Sequence, residues 1–262
     1  MQVTVIINCF NSEKYLKQSI KSVLNQSYKN FELIIYDNNS TDKTEEIYKS
    51  FKDHRLRYFK TDQNYNLGKV RELALKESNY NWISFLDSDD EWLPDKLLEQ
   101  VNYIQNKKNI GLVYSDFIYI DSNGLKLKKK SYTKFYTKKI FEELIKKNYI
   151  CFSTIIFNKS IFKTKNIFNP ILKNSEDLDL LLKISKNNTV GFVKNKLVKY
   201  RVHSENLTKF QTERSFSEWQ YLMYKHSENY FKEKKNIKKK YLYELCKIKL
   251  LNRLKKLLNF IN

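Results

Sequence analysis

The chain has 262 residues, 41% of them apolar, with 17 Phe, 19 Tyr and 3 Trp, enough to bury a sizeable core in one large domain with or without a small appendage. Its 49 Lys+Arg against 29 Asp+Glu leave a formal charge of +20, which points to a polyanionic partner or a membrane surface. Three widely separated cysteines (Cys9, Cys151, Cys246) exclude a disulfide framework or a metal knuckle and suit a reducing cytoplasm. No run of 18 apolar residues is present to span a bilayer, and Met1–Asn8 lacks the marks of a signal peptide. The four scattered glycines, Gly68, Gly111, Gly124 and Gly191, assemble neither a G-x-G-x-x-G fingerprint nor a Walker A loop.

Val3–Ile7 is a short apolar, β-branched run and reads as a strand. Tyr15, Ile20, Val23 and Leu24 then fall near one face, predicting a helix with Asn11 or Ser12 as cap candidates. Phe31–Tyr36 is the next strand, a second helix opens at Ser40-Thr41-Asp42, and Arg55–Lys60 is a weaker strand carried by Leu56, Tyr58 and Phe59. A helix near Leu67, a strand at Trp82–Leu86, a helix after Pro94 and a strand at Ile110–Tyr114 follow. This alternation predicts an α/β fold with a mostly parallel central sheet flanked by helices.

After residue 120 the rhythm breaks. Asp121-Ser122-Asn123-Gly124 reads as a hairpin turn and Lys126–Lys139 as a basic, tyrosine-rich connector or acceptor-side loop. Ile140–Lys147 reads as helix, Thr154–Phe157 as strand and Asp177–Ser185 as helix. Lys232–Lys256 holds eleven Lys and Arg against Glu233 and Glu244, with Leu245, Ile248, Leu251 and Leu258 roughly aligned. That is a basic amphipathic helix, either docked on an anionic leaflet or presenting a solvated charged face. Residues 1–120 are expected to form one α/β half, 121–210 a second, acceptor-side half of the same domain, and 211–262 a basic helical extension.

Two acidic clusters trail predicted strands: Asp37-Asn38-Asn39-Ser40 and Asp87-Ser88-Asp89-Asp90. In open α/β sheets ligands bind outside the carboxyl ends of the strands, so both clusters are expected to face one crevice. Asp37 and Asn38 suit hydrogen bonds to a base or ribose, although an Asp after a strand more often makes a turn or caps a helix. Carboxylates two apart on a turn suit a hard divalent cation that shares phosphate oxygens, Mg or Mn rather than Zn. Like charges this close repel unless neutralised, which separates Asp87–Asp90 from an ordinary turn. Asp90 is also placed to cap the turn that follows.

These residues resemble the family 2 inverting glycosyltransferases of GT-A fold. Asn8-Cys9-Phe10-Asn11 and Glu32–Asp42 are similar to the family's opening segment, and Phe85-Leu86-Asp87-Ser88-Asp89-Asp90-Glu91-Trp92 to its metal- and nucleotide-sugar-binding DXD stretch. Asn64–Arg71 resembles the N-x-G-L-G-x-A-R-N segment, Ser175-Glu176-Asp177 the acidic motif with the catalytic base, and Tyr200-Arg201-Val202-His203-Ser204-Glu205-Asn206 a later Y-R-x-H-x-x-N segment. The match covers about residues 3–208. Asn8 and Cys9 stand where the family often has Pro and Thr, Asn38 where it has a second Asp, Asn66 for a usual Gly and Glu72 for a usual Asn.

The resemblance implies a GT-A-type, Rossmann-like domain that moves a sugar, a hexosyl or N-acetylhexosaminyl group, from a nucleotide-sugar donor, most often UDP-linked, to an acceptor hydroxyl with inversion. Asp37 and Asn38 would meet the base, with Asn8 and Asn11 beside them; Asp87 and Ser88 would reach the ribose, Asp89 and Asp87 the divalent cation (Mn or Mg), and Lys69 and Arg71 the diphosphate. Asp177 would accept the acceptor's proton, with Glu176 beside it, although Asp177 also fits a plain first-turn residue. His203 is a further candidate for the metal, Arg201 for a phosphate or a core carboxylate, and Trp92 for the acceptor or the core. The implied acceptor is a glycan or lipid-linked glycan of surface polysaccharide or lipooligosaccharide biosynthesis, and the implied location is cytoplasmic, peripheral on the inner membrane face. A sugar-phosphate nucleotidyltransferase is the enzymatic alternative, but residues 1–20 contain no glycine for its loop. A non-catalytic polyanion- or membrane-binding module is the other, and nucleic acid is disfavoured because no recognised motif accompanies the charge.

Overall fold

The strands β1 (Val3–Cys9) and β2 (Phe31–Asp37) are buried almost end to end. Such continuous burial requires cover on both faces, which explains runs of Val, Ile and Leu in place of alternation. They pair in parallel from Val3 with Phe31 to Cys9 with Asp37. On the outer side β2 carries β3 (Leu56–Lys60), while β1 pairs on its other side with β4 (Trp82–Phe85). The crossovers run through α1 (Leu16–Leu24), α2 (Thr44–Lys49) and α3 (Leu67–Lys76). Winding therefore reverses at β1, and this switch point opens a crevice at the carboxyl ends of β1, β2 and β4.

The computed structural model describes residues 1–134, 140–163, 166–206 and 217–226. It divides into two units, Met1–Glu218 and Trp219–Asn262. In the second unit the described residues, 219–226, are helical; the basic helix expected at Lys232–Lys256, and residues 135–139 of the tyrosine-rich segment, lie outside the described residues.

The first unit continues with β5 (Glu91–Trp92), α4 (Lys96–Gln105), β6 (Ile110–Ile120), α5 (Ile140–Lys146), β7 (Ile156–Asn158), α6 (Glu176–Asn187) and β8 (Thr189–Arg201). One sheet runs β3-β2-β1-β4-β7-β6-β8-β5. β7 is antiparallel to both β4 and β6, β8 is parallel to β6, and β5 is antiparallel to β8, so the sheet is mixed but mostly parallel. The predicted hairpin turn is present: Leu127 N–H bonds Tyr119 O at 2.9 Å, and Gly124 takes φ 86°, a left-handed value costly to other residues.

Several boundaries differ from expectation. α1 starts at Leu16, and neither Asn11 nor Ser12 caps it: Asn11 takes the left-handed φ of 47° that Asn tolerates, while the Ser12 carbonyl accepts the Leu16 N–H at 3.1 Å. α2 begins at Thr44, because Asp42 folds back to accept the Thr44 N–H at 3.0 Å. Thr154, the first residue of a predicted strand, instead closes a 3-10 turn over Phe152–Thr154, and β6 runs on to Ile120. The long strand β8 was not expected at all: its exposed middle, Lys194-Asn195-Lys196, interrupts the apolar pattern.

Candidate active site

Leu86 ends β4 by donating to Ile6 O at 3.0 Å, and the acidic turn Asp87–Asp90 follows, closed by Asp90 N–H to Asp87 O at 3.0 Å. Ser153, on the 3-10 turn, fixes it twice: its Oγ accepts the Asp87 N–H at 3.1 Å and donates to Asp90 Oδ2 at 2.6 Å. From the α1 side, Ser19 Oγ bonds the carbonyls of Ser88 and Asp90, at 2.8 and 2.7 Å, and Ser12 Oγ meets Ser88 Oγ at 2.9 Å. Donors on and just before α4 hold the 3-10 turn in place. Trp92 Nε1, from β5, and Lys96 Nζ and Gln100 Nε2, four residues apart on one face of α4, reach the carbonyls of Ser153, Ile155 and Thr154. Trp92 is therefore a core and scaffolding residue, the plainer of its two expected roles.

Arg71 joins this turn to the start of α6. Only 4% exposed, its guanidinium donates to Asp87 Oδ1 at 3.1 Å and Glu176 Oε1 at 2.5 Å, and lies 4.0 Å from the Phe152 ring centroid. Gly68 lets α3 come this close: a Cβ there would stand 2.6 Å from Asn169 O and 2.9 Å from Leu172 O, in the segment leading into α6. Glu72 buries its carboxylate under the same segment, accepting the Phe168 N–H at 2.9 Å. Burial pushes the Glu176 carboxyl up to about 8, against the pull of Arg71. Desolvation likewise raises Asp177 and Asp87, again opposed by Arg71, and Asp89 adds to the rise at Asp87. Ser175 is the N-cap of α6, making Asp177 its second residue.

The two strand-end clusters lie at the same end of the sheet, yet they differ. Asp37 is closed off: Oδ1 accepts from Ser40 N and Oγ at 2.8 and 2.6 Å, and Oδ2 from the Tyr58 hydroxyl at 2.6 Å. Asn38 ties down Tyr65, accepting its N–H at 2.9 Å and donating to its carbonyl at 2.7 Å, and Asn11 Oδ1 accepts the Thr41 N–H at 2.9 Å. Asn8 reaches Val70 O at 3.5 Å and leaves its buried Oδ1 without a partner. The carboxylates that gather with Asp87 are thus Glu176 and Asp177, through Arg71, rather than Asp37. Phe10, directly after β1 and 49% exposed, was not singled out from the sequence; its signal is a large aromatic at the end of a buried strand.

Arg201 is not placed to meet a ligand. It is 2% exposed, and its three side-chain nitrogens are taken by Asp89 O, the carbonyls of Asp121 and Ser122, and Glu91 Oε1 at 2.5 Å. Its backbone N–H donates to Asp90 Oδ1 at 2.9 Å, so β8 pins the acidic turn. Burial raises Asp90 well above the usual carboxylate range, with Asp89 and Asp87 adding to it. His203 orients Asp89 directly: Nδ1 accepts the Glu205 N–H at 3.3 Å, which leaves Nε2 to donate to Asp89 Oδ2 at 2.8 Å, and Asn206 Nδ2 bonds the same oxygen at 3.1 Å. Lys69, half-buried in the first turn of α3, pairs with no carboxylate among the described residues.

Among the described residues no three of His, Cys, Asp and Glu converge to cage an ion unaided. Arg71 nonetheless pairs with both Asp87 and Glu176 and draws on Asp177 as well, Asp89 and Asp90 lie in the same turn as Asp87, and Arg201 is already committed to Glu91. That negative excess and its oxygen-only donors at Asp87 and Asp89 fit Mg or Mn, which takes one or two carboxylates and completes its shell with phosphate and water. A separate cavity of about 650 Å³, lined by Trp82, Ile110 and Thr189, lies at the amino ends of β4, β6 and β8, away from these carboxylates.

The fold is of the GT-A, Rossmann-like kind: the structure aligns with the crystal structure of S. aureus TarS 1–349 in complex with UDP-GlcNAc at a TM-score of 0.71 and 21% identity, covering 85% of this chain and 65% of that one. The sequence profile of Glycosyl transferase family 2 matches residues 4–164, and the chain belongs to that family. It is 33% identical over 205 residues to an uncharacterized glycosyltransferase of Methanocaldococcus jannaschii, covering 76% of this chain and 70% of the relative. It is 28% identical over 222 residues to the Escherichia coli UDP-Glc:alpha-D-GlcNAc-diphosphoundecaprenol beta-1,3-glucosyltransferase WfgD, with 84% and 85% covered. The chain spans 30–33% of the length of three rickettsial relatives that it also matches. Among the described residues no helix is long and apolar enough to cross a membrane.

Proposed function

We propose that this chain transfers a sugar from a UDP-linked donor to a hydroxyl of a glycan or lipid-linked glycan, with inversion. The observation that carries the reading is the Arg71 bridge, which brings the Asp87–Asp90 turn and the Glu176-Asp177 start of α6 to one place. Phe10, exposed at the end of β1, offers a stacking face for the base, beside the turn that Asp37, Asn38 and Asn11 hold rigid. Asp87 and Asp89 would hold a divalent cation, which when bound neutralises charge on the departing diphosphate. His203 and Asn206 keep Asp89 oriented for that task, and Lys69 adds positive charge near the donor.

Asp177 is half-buried and raised above the ordinary carboxylate range, which suits a general base. It takes the proton of the acceptor hydroxyl as that oxygen attacks the anomeric carbon; the bond to the diphosphate breaks and UDP leaves with its electron pair. One carboxylate acting as a base in a single displacement inverts the centre. Glu176, buried against Arg71, positions the arginine. The donor named for the E. coli relative and the ligand of the S. aureus structure, together with family membership, support a UDP-sugar transferase over a nucleotidyltransferase. The basic tail would hold the enzyme at an anionic inner leaflet, where a lipid-linked acceptor resides.

The test is UDP release by the full chain from UDP-glucose and UDP-N-acetylglucosamine in Mn, with a GlcNAc-diphosphate lipid as acceptor. Asp89→Ala should cut release by about 10³-fold, since a catalytic metal supplies several kcal/mol and each 1.36 kcal/mol is tenfold. Equal release by the variant and the wild type would refute the reading.

A further inference from the structure

Asp177 has a partner outside every motif. Asn148 follows α5, and its amide Nδ2 donates to Asp177 Oδ2 at 3.2 Å. The amide's orientation is set at its other end, where Asn148 Oδ1 accepts the Ile150 N–H at 3.0 Å, leaving the nitrogen to face the carboxylate. Asp177 Oδ1 meanwhile accepts the Leu178 N–H at 2.6 Å. Both oxygens are thus held by neutral donors, one local to α6 and one brought from a separate loop.

We propose that Asn148 is a positioning residue for the transfer, holding the Asp177 carboxylate in the one orientation from which it receives the acceptor's proton. The inference rests on the reading of Asp177 as the base. Such a bond is strongest to the ionised carboxylate and so favours the anion. It works with Arg71, from α3, against burial and against the negative charges of Glu176 on α6 and Asp87 in the turn after β4; Tyr132, in the segment after the hairpin, also interacts with Asp177. A base in a buried acidic cluster needs such a donor to remain unprotonated near neutral pH without being neutralised by a full ion pair of its own.

Two variants separate positioning from a role confined to the Asn148–Ile150 turn. Asn148→Asp keeps an oxygen for the Ile150 N–H but sets a second carboxylate against Asp177. Asn148→Ser also keeps an acceptor and is too short to reach. The readout is a carbon-13 NMR titration of the aspartate carboxyl groups in the full chain, with the Asp177 signal assigned by its disappearance in Asp177→Asn. The midpoint of Asp177 should rise by about one pH unit in Asn148→Asp, from the added like charge, and by less in Asn148→Ser. The acid limb of kcat/KM for UDP release should move the same way. An unmoved midpoint in whichever variants fold would overturn the proposal. Wild-type UDP release by Asp177→Asn would instead overturn the base reading, and with it the catalytic purpose assigned to Asn148, whatever the titration shows.

Discussion

Asp37 and Asp87–Asp90 look alike in sequence, each an acidic cluster directly after a buried strand, and they sit at the same end of one sheet. Their surroundings divide them. Around Asp37 the donors are neutral, Ser40 from the same turn and Tyr58 from the adjacent strand β3, and they fill both oxygens. The carboxylate is consumed in making a rigid turn. Around Asp87–Asp90 the donors come from distant elements: Arg71 from α3, Ser153 from the 3-10 turn, and Arg201, His203 and Asn206 from the end of β8 and beyond. There the negative charge exceeds its compensation. A strand-end carboxylate becomes chemically available when its neighbours orient it without filling all its lone pairs, and that distinction depends on residues far away in the chain.

The comparison can be broken hardest at Arg71. Arg71→Met leaves Glu176 buried without its partner and removes the tie between the two acidic segments. It should cost about 3–5 kcal/mol in urea unfolding at pH 8, as expected when one member of a buried pair is lost. With the arginine gone the folded-state pKa of Glu176 rises further above its unfolded value. The two folded proteins then differ in Glu176 ionisation only above the wild-type value of about 8, so the variant's deficit should grow as pH rises past 8 and level off below it. A deficit that does not depend on pH would mean that Arg71 acts through packing on Phe152 instead.

Tyr58→Phe breaks the other cluster. It leaves Asp37 Oδ2 unsatisfied in a closed site, at a cost of about 1–3 kcal/mol. Because the hydroxyl lies on β3, outside the acidic turn, thermal denaturation should register the change while kcat for UDP release stays close to wild type. A large loss of kcat without a loss of stability would place Asp37 in the chemistry after all.

The contrast also marks what the sequence made legible. The first half of the sheet was readable because Val3–Ile7, Phe31–Tyr36 and Trp82–Leu86 are short apolar runs with turn residues after them, and continuous burial leaves no other reading. The acidic turn, Arg71 and the start of α6 were readable as motifs. β8 was not, since three polar residues in its middle hide a strand whose pairing with β6 is set by tertiary contact. The roles of Arg201 and His203 stayed open in the sequence for a related reason: an arginine or histidine in a motif reads as a ligand until its partners are seen, and here those partners are Glu91, backbone carbonyls and Asp89. Asn148 carried no signal at all, because its partner lies 29 positions away in sequence.

The smallest expected effect concerns the scaffold beneath the turn. Lys96 is fully buried, its Nζ donating to Ser84 Oγ at 2.5 Å and Ile155 O at 3.3 Å and lying 3.8 Å from the Trp92 ring centroid, with no carboxylate among these partners. The ring favours an ammonium, but burial wins and drives Lys96 well below the usual lysine range. The folded state then binds fewer protons here than the unfolded chain, so this residue's contribution to stability is fully present only above the unfolded lysine value and is lost as pH falls through the folded one. Lys96→Met keeps nearly the same volume, and Ile155 O retains the Ser84 hydroxyl at 2.5 Å as a donor, so the variant should differ by less than about 1.5 kcal/mol at neutral pH. Raising the pH from 7 to 9.5 should favour wild type over the variant by up to about 1.4 kcal/mol per pH unit in paired urea titrations. Taking the difference between the two proteins cancels the opposing titrations of buried Cys9, Cys151 and the tyrosines, which both share. A flat difference would show that Trp92 holds Lys96 charged inside the fold, and that the support under the acidic turn contributes a cation of its own to balance the carboxylates.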